Sequence, residues 1–301
     1  MIRFLSVLFL LSMPLSAEDS PFTAQPFDLH LPADSYIEEV PAIATSPDGQ
    51  FVYVFNRGKR ALLAFDVKGT FVREIGAGLF SVPHGLRVDA DGNIWTADTG
   101  NHVVLKFAPS GKLLMVLGKK GTASAGWFDR DYNHLFFNKP SDIAFDAAGN
   151  IFVADGGNFR VLKFSPKGNV LAVFGEKGKG PGQFNFPHSL IVDAEGRLLV
   201  SDRENQRIQL FDLTGAYQNE WADVGYPYML AHAEEGNIWM TDARADKLVK
   251  LSPKGEKLKA FGAAGKSVGQ YGFLHGITVL GSDLLVSDIL NWKVERLTLE
   301  D

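Results

Sequence analysis

The chain has 301 residues, 46% hydrophobic and 22% charged, which fits a globular protein with material for a large core. Its net charge of −5 and pI near 5.8, with Lys and Arg scattered and no basic run, exclude nucleic acid as the expected partner. Without cysteine, it needs no disulfide even in an oxidising compartment, and no thiol can act as nucleophile or ligand.

Residues 1–17, MIRFLSVLFLLSMPLSA, read as a secretory signal: Arg3 supplies the positive end, Phe4 to Leu11 the apolar run, and Ser16-Ala17 a small-residue cleavage site. The alternative, an uncleaved anchor, is disfavoured because the run falls short of the ~20 apolar residues that span a bilayer. A secreted or periplasmic protein, with no membrane span after cleavage, is the expectation. Residues 18–35, rich in Pro, Asp and Ser, read as an irregular leader, and residues 36–301 as the folded domain.

From there the chain repeats. Six segments line up: Pro41-Ala42-Ile43-Ala44, Pro83-His84-Gly85-Leu86, Pro140-Ser141-Asp142-Ile143, Pro187-His188-Ser189-Leu190, Pro227-Tyr228-Met229-Leu230 and Leu274-His275-Gly276-Ile277. Each leads into a short strand and a tight turn such as Asp91-Gly92-Asn93, where Gly and Asn accept positive φ. A second apolar strand follows and ends at Asn56, Asp98, Asp155, Asp202, Asp242 or Asp288; the aspartates read as architectural, tying strand ends to neighbouring backbone. Third and fourth strands complete each unit. Four short strands at a period of roughly 40–50 residues predict an all-β, six-bladed propeller. The period is stretched only by the polar insertion from Lys119 to Asn138. The sixth unit stops after three strands, so its outer edge needs a donor, and Tyr36-Ile37-Glu38-Glu39-Val40 is predicted to close the ring as that N-terminal strand.

The residue after the first position of each segment is Ala42, His84, Ser141, His188, Tyr228 or His275. Histidine fills the second, fourth and sixth slots, related by approximate threefold rotation in a six-bladed ring. With seven histidines in 301 residues, one slot holds a histidine by chance about once in forty. Three neutral imidazoles converging on the axis with an open fourth position make a catalytic-type zinc site. His30, His102, His134 and His232 occupy no matching position. A second layer follows the strand-ending Asp or Asn and includes Arg57 and Arg203, which are expected to point towards the same funnel. Two guanidiniums beside a metal fit an anionic, carboxylate-bearing substrate; the alternative is pairing with blade carboxylates such as Asp202 or Glu204.

These motifs, P-H-G-L…G-N-I-W-T-A-D, P-H-S-L…S-D-R-E-N-Q-R-I-Q-L-F and Phe55-Asn56-Arg57-Gly58, resemble NHL repeats over about residues 40–300, and among them those of the peptidyl-α-hydroxyglycine α-amidating lyases (peptidylamidoglycolate lyases). The resemblance implies a six-bladed propeller with zinc on His84, His188 and His275, and functional arginines at Arg57 and Arg203. It also implies cleavage of a peptidyl-α-hydroxyglycine into a peptide amide and glyoxylate, with a tyrosine and an arginine in the proton transfer. Here the chain departs from the pattern. The family's tyrosine stretch, D-G-Y-x-N-S-R, is matched by Asp155-Gly156-Gly157-Asn158-Phe159-Arg160, which has no phenol. Phe273 stands for a methionine, and Gly276 for the aspartate associated with a structural calcium. Tyr228, in the fifth histidine-equivalent slot, is the candidate to supply the phenol; the alternative is that it packs its ring.

Two functions follow as expectations. One is a zinc-dependent lyase acting, as a monomer, on a small-molecule or peptide substrate with a carboxylate. The other is a non-catalytic exported propeller binding a peptide, glycan or protein partner, a choice the fold alone does not make.

Overall fold

The computed structural model describes residues 22–124 and 136–299. The secretory-signal segment, His134 and much of the Lys119–Asn138 insertion lie outside the described residues.

Each repeat forms a four-stranded antiparallel blade, and six blades form the ring. Blade one comprises Ala42–Thr45, Phe51–Phe55, Leu62–Asp66 and Phe71–Ile75; blade two, Pro83–Val88, Ile94–Asp98, Val103–Phe107 and Leu113–Gly118. Blade three comprises Pro140–Phe145, Ile151–Asp155, Arg160–Phe164 and Val170–Phe174, and blade four Pro187–Val192, Leu198–Asp202, Arg207–Phe211 and Tyr217–Trp221. Pro227–His232, Ile238–Asp242, Lys247–Leu251 and Lys257–Phe261 make blade five; Leu274–Leu280, Asp283–Asp288 and Lys293–Leu299 open blade six.

The hairpin chemistry is local. In the inner hairpins Asp89, Asp146 and Asp193 each accept hydrogen bonds from the backbone amides two and four residues on, which folds the turn around a positive-φ glycine (Gly92, φ 81°). The strand-ending aspartates tie each blade to the chain entering it. Asp98 accepts from the Ser81 and Val82 amides, Asp155 from Asn138, Asp202 from Asn185, Asp242 from Tyr226, and Asp288 from Gly272 and Phe273. These aspartates are architectural, as expected from the repeat.

Apolar residues line both faces of each blade, because every blade packs a neighbour on each side. The core is therefore six layers between blades. Tyr53, Phe55 and Leu62 meet Leu86, Ile94 and Phe107 between blades one and two; Ile43, Val54 and Phe65 meet Leu285 and Val294 between one and six.

An N-terminal strand closes the ring, but from an earlier segment than expected. Phe22–Pro26 pairs antiparallel with Lys293–Leu299, Phe22 opposite Leu299 and Pro26 opposite Glu295. Residues 18–35 are thus not wholly irregular, and Tyr36–Val40 is not a strand. Phe22 explains the choice: it is buried against Trp239 and Phe261, ring centroids 5.7 and 4.8 Å away, an anchor that Tyr36 cannot match because it stays 58% exposed. Pro26 lacks an N–H, which an outermost strand tolerates. Val40 instead packs between blades six and one, and its carbonyl accepts Ser287 Oγ at 2.8 Å.

Candidate metal centre

The histidine slots acquire their direction from a β-bulge. In blades two to six the innermost hairpin shifts register just after its first residue, between Pro83 and Gly85, Pro187 and Leu190, and Leu274 and Gly276 among others. The extra residue turns its side chain off the ladder and towards the axis. Blade one pairs regularly from Ala42 to Phe55 and places only a methyl group there.

His84, His188 and His275 meet on that axis. Their ring centroids are 4.7 to 5.1 Å apart, and one ring nitrogen from each lies within 4.8 Å of the others. Every Nδ1 faces a backbone carbonyl of the next blade: His84 that of Ser141 at 2.8 Å, His188 that of Tyr228 at 3.0 Å, His275 that of Pro41 at 2.7 Å. A carbonyl only accepts, so Nδ1 carries the proton and Nε2 keeps its lone pair. One acceptor is itself held: Ser201 Oγ donates to the Tyr228 carbonyl at 3.1 Å.

Burial holds all three rings neutral, with the nearby guanidinium charges adding to it. His84 is pushed down to about 4; His188 and His275 fall well below 6.5. Nε2 of His188 is buried with no hydrogen-bond partner. A buried ring nitrogen without a partner is costly unless something else binds its lone pair. Three converging Nε2 lone pairs, each ring oriented by the hydrogen bond at its Nδ1, are a donor set that suits zinc.

Where the resemblance implies an aspartate associated with a structural calcium, Gly276 supplies no carboxylate. The position is also crowded: a Cβ there would lie 2.3 Å from Ser287 Oγ and 3.1 Å from the Pro41 carbonyl, so a larger side chain would force Ser287 to shift.

Both arginines reach the funnel, and both are paired. Arg57 donates from Nη1 to Glu39 at 2.5 Å and from Nε to the Pro83 carbonyl at 3.3 Å. Arg203 binds one oxygen of its neighbour Glu204 through Nε and Nη2, at 3.0 and 2.9 Å, while Asp202 pairs with Arg207 instead. The Arg203 guanidinium also lies against two rings, 4.6 Å from Phe186 and 5.2 Å from Tyr228. The Tyr228 ring in turn sits 5.0 Å from His188 and 5.5 Å from His275, and its hydroxyl has no hydrogen-bond partner among the described residues. It is both packed and adjacent to the centre.

Sequence reasoning overlooked an aromatic wall. Phe186, Tyr226 and Phe273 occupy one repeat position, immediately before the first residue of the inner strand, in blades four, five and six. Phe186 and Phe273 lie 6.1 Å from His188 and His275, and Tyr226 5.7 Å from Tyr228. The same alignment that revealed the histidines contained this signal two positions earlier. Tyr226 donates its hydroxyl to the second oxygen of Glu204, and Arg244 lies 4.0 Å above its ring. Burial first, and then the Glu204 hydrogen bond, push the Tyr226 phenol up to about 12, so it remains a donor. Glu204 thus stands between Arg203 and Tyr226. In the third blade, Gly156–Asn158 forms a short 3-10 turn whose Gly156 abuts Phe186, a ring in the space beside the missing phenol.

Comparison with known proteins agrees with the fold. A family model described as a 6-bladed beta-propeller matches residues 133–270, and one described as the SMP-30/gluconolactonase/LRE-like region matches residues 34–139. A probable peptidyl-α-hydroxyglycine α-amidating lyase of Caenorhabditis elegans is 42% identical over 121 residues, covering 40% of this chain and 32% of that protein. Peptidyl-α-hydroxyglycine α-amidating lyase 2 of Drosophila melanogaster is 32% identical over 160 residues, or 44% and 37%. NHL repeat-containing protein 3 of Mus musculus is 36% identical over 142 residues, 43% and 39%. The matched segments thus span only 32–39% of these relatives' own length. Among solved structures, virginiamycin B lyase of Staphylococcus aureus superposes with a TM-score of 0.63 at 17% identity, covering 89% of this chain and 83% of the other. A gluconolactonase of Xanthomonas campestris superposes at 0.66 and 15% identity, covering 92% and 90%. At such identities these structures share the fold alone.

Proposed function

Because the chain is a six-bladed β-propeller that resembles the peptidyl-α-hydroxyglycine α-amidating lyases, we propose that its funnel is the active site of a metal-dependent lyase acting on an N-acyl α-hydroxyglycine. The observation that carries the reading is the convergence of three neutral imidazoles, one with a buried Nε2 that lacks any partner. His84, His188 and His275 would hold the ion, and a bound zinc would supply Lewis-acid polarisation of a substrate oxygen.

The remaining work falls to side chains of the funnel. Arg57 and Arg203 bind the substrate carboxylate and fix its orientation, each retaining N–H groups beyond those given to Glu39 and Glu204. The Tyr228 phenol accepts the proton of the α-hydroxyl as its own proton passes to the departing nitrogen. The C–N bond breaks, the hydroxyl carbon becomes the aldehyde of glyoxylate, and the nitrogen leaves as the amide. No electrons are gained or lost overall. The rings of Phe186, Tyr226, Tyr228 and Phe273 exclude water from one side of the funnel, which strengthens each of these interactions. Export would place this chemistry in a secreted or periplasmic setting; among the described residues no helix is long and apolar enough to cross a membrane.

Metal analysis and a glyoxylate assay with an α-hydroxyglycine-ended peptide test the reading together. About one zinc per chain and glyoxylate release are expected, both lost in His188→Ala. A chain that binds no first-row metal would leave the other reading, a non-catalytic propeller. Metal without glyoxylate would redirect the search to another α-hydroxy or carbinolamide substrate.

A further inference from the structure

A second polar cluster lies next to the histidines along the same inner strands. Arg87 follows His84 by three residues, Asp142 follows the Ser141 whose carbonyl holds His84, and Ser189 follows His188. Arg87 donates through Nε and Nη2 to the two carboxylate oxygens of Asp142, at 2.9 and 2.5 Å. Its Nη2 also reaches Ser189 Oγ at 3.2 Å and the Leu230 carbonyl at 3.1 Å. The wholly buried Asp142 carboxylate accepts from Ser189 Oγ at 2.6 Å and from the Leu190 amide at 3.2 Å, and Ser189 Oγ accepts the Leu230 amide at 3.1 Å.

One guanidinium and one carboxylate thereby join the inner strands of blades two, three, four and five. The two N–H groups of Arg87 Nη2 are shared among three acceptors, Asp142, Ser189 and the Leu230 carbonyl. Ser189 spends its one proton on Asp142 and accepts from the other two groups. Away from the funnel, Arg87 borders an axial cavity of about 250 Å³ whose walls are the far halves of the inner strands, Ile43, Val88, Ile143 and Leu190 among them. A buried carboxylate in such surroundings needs a cation beside it, and here the cation is a side chain.

We propose that Arg87 is the resident cation of the axial channel and a positioning residue for the histidine centre. It neutralises Asp142 and locks blades two to five in the arrangement that brings His84 against His188. This layer therefore needs no metal ion of its own. The inference rests on the metal-binding reading of the histidines for its functional consequence, though not for the interblade lock itself. It also fits the glycine at position 276, which brings no carboxylate from blade six to this layer.

The test uses the full chain and three variants: Arg87→Met, Arg87→Lys, and Arg87→Met with Asp142→Asn, which removes both charges so that the fold survives without a stranded carboxylate. Zinc affinity is read by chelator competition, and ligand geometry by the visible spectrum of the cobalt-loaded protein. Arg87→Met should weaken zinc about ten- to a hundredfold and displace the cobalt band. Arg87→Lys should recover part of both; the doubly changed chain should keep its melting temperature yet retain the displaced band. Calcium added to chelator-treated wild type should leave Tm unchanged. Wild-type zinc affinity and cobalt spectrum in the doubly changed chain would overturn the proposal, as would a Tm raised by calcium. Should the wild type bind neither zinc nor cobalt, the proposed function fails separately. Amide exchange at Leu190 and Leu230 then decides: faster exchange in the doubly changed chain upholds the lock, and unchanged protection overturns it.

Discussion

At the scale of single residues, the centre depends on protonation states that burial imposes. The three histidines are held neutral in the folded chain, with His84 at about 4 and the other two well below 6.5, whereas in the unfolded chain they take up protons near 6.5. The unfolded state therefore binds more protons below that pH. The histidines carry no such penalty above about pH 6.5; as the pH falls from 6.5 towards 4, the metal-free protein loses stability. Each histidine contributes a slope of up to about 1.4 kcal/mol per pH unit there. Urea unfolding of metal-free His188→Gln at pH 5 and pH 7 should show a smaller difference than wild type; an equal difference would mean that the ring is not held neutral. Two phenols can likewise be separated. Tyr228→Phe should lower kcat about a hundredfold or more with KM little changed, as expected for a group in the proton transfer. Glu204→Gln removes the charge that anchors both Arg203 and Tyr226, and should act chiefly on KM through a less well ordered carboxylate site. Steady-state rates for glyoxylate release distinguish the two patterns.

At the scale of the element, the blade is held by a buried corner between its second and third strands. In blade three, Asp155 and Arg160 form an ion pair at 2.8 Å with both side chains fully buried, and the turn between them places Phe159 in the left-handed region at φ 56°. Blade four repeats the corner with Asp202, Arg207 and Gln206. Removing one partner leaves a buried charge without compensation. Arg160→Met should cost about 3–5 kcal/mol by chemical denaturation, and adding Asp155→Asn should recover a large part of it. The D-x-x-N-x-R pattern shared by the two corners is readable in the sequence. That its Asp and Arg pair inside the blade is not, because the charged residues are separated by a turn whose direction depends on the αL residue between them. The aromatic wall escaped for a related reason. Phe186, Tyr226 and Phe273 look like ordinary core residues one at a time, and become a surface of the funnel only when three blades bring the same position to one side of the axis.

At the scale of the whole molecule, the ring is closed by four hydrogen-bonded strands from both ends of the described chain. Deleting residues 22–26 should expose the Lys293–Leu299 edge and lower Tm markedly, with concentration-dependent association through that edge. Deleting Tyr36 to Glu38 should cost less. Comparable losses in the two variants, measured by calorimetry and light scattering, would contradict the strand pairing. The amino-acid sequence alone determined the blade count, the strand order and the three histidine slots, because these are periodic properties and a period can be read along one dimension. Tertiary structure alone decided which segment closes the ring, that the histidines share a carbonyl-held tautomer, that Glu204 joins Arg203 to Tyr226, and that Arg87 meets Asp142 on the axis. Each of these depends on a contact between segments of different blades, and such contacts exist only once the curvature of the ring has set the distance between blades.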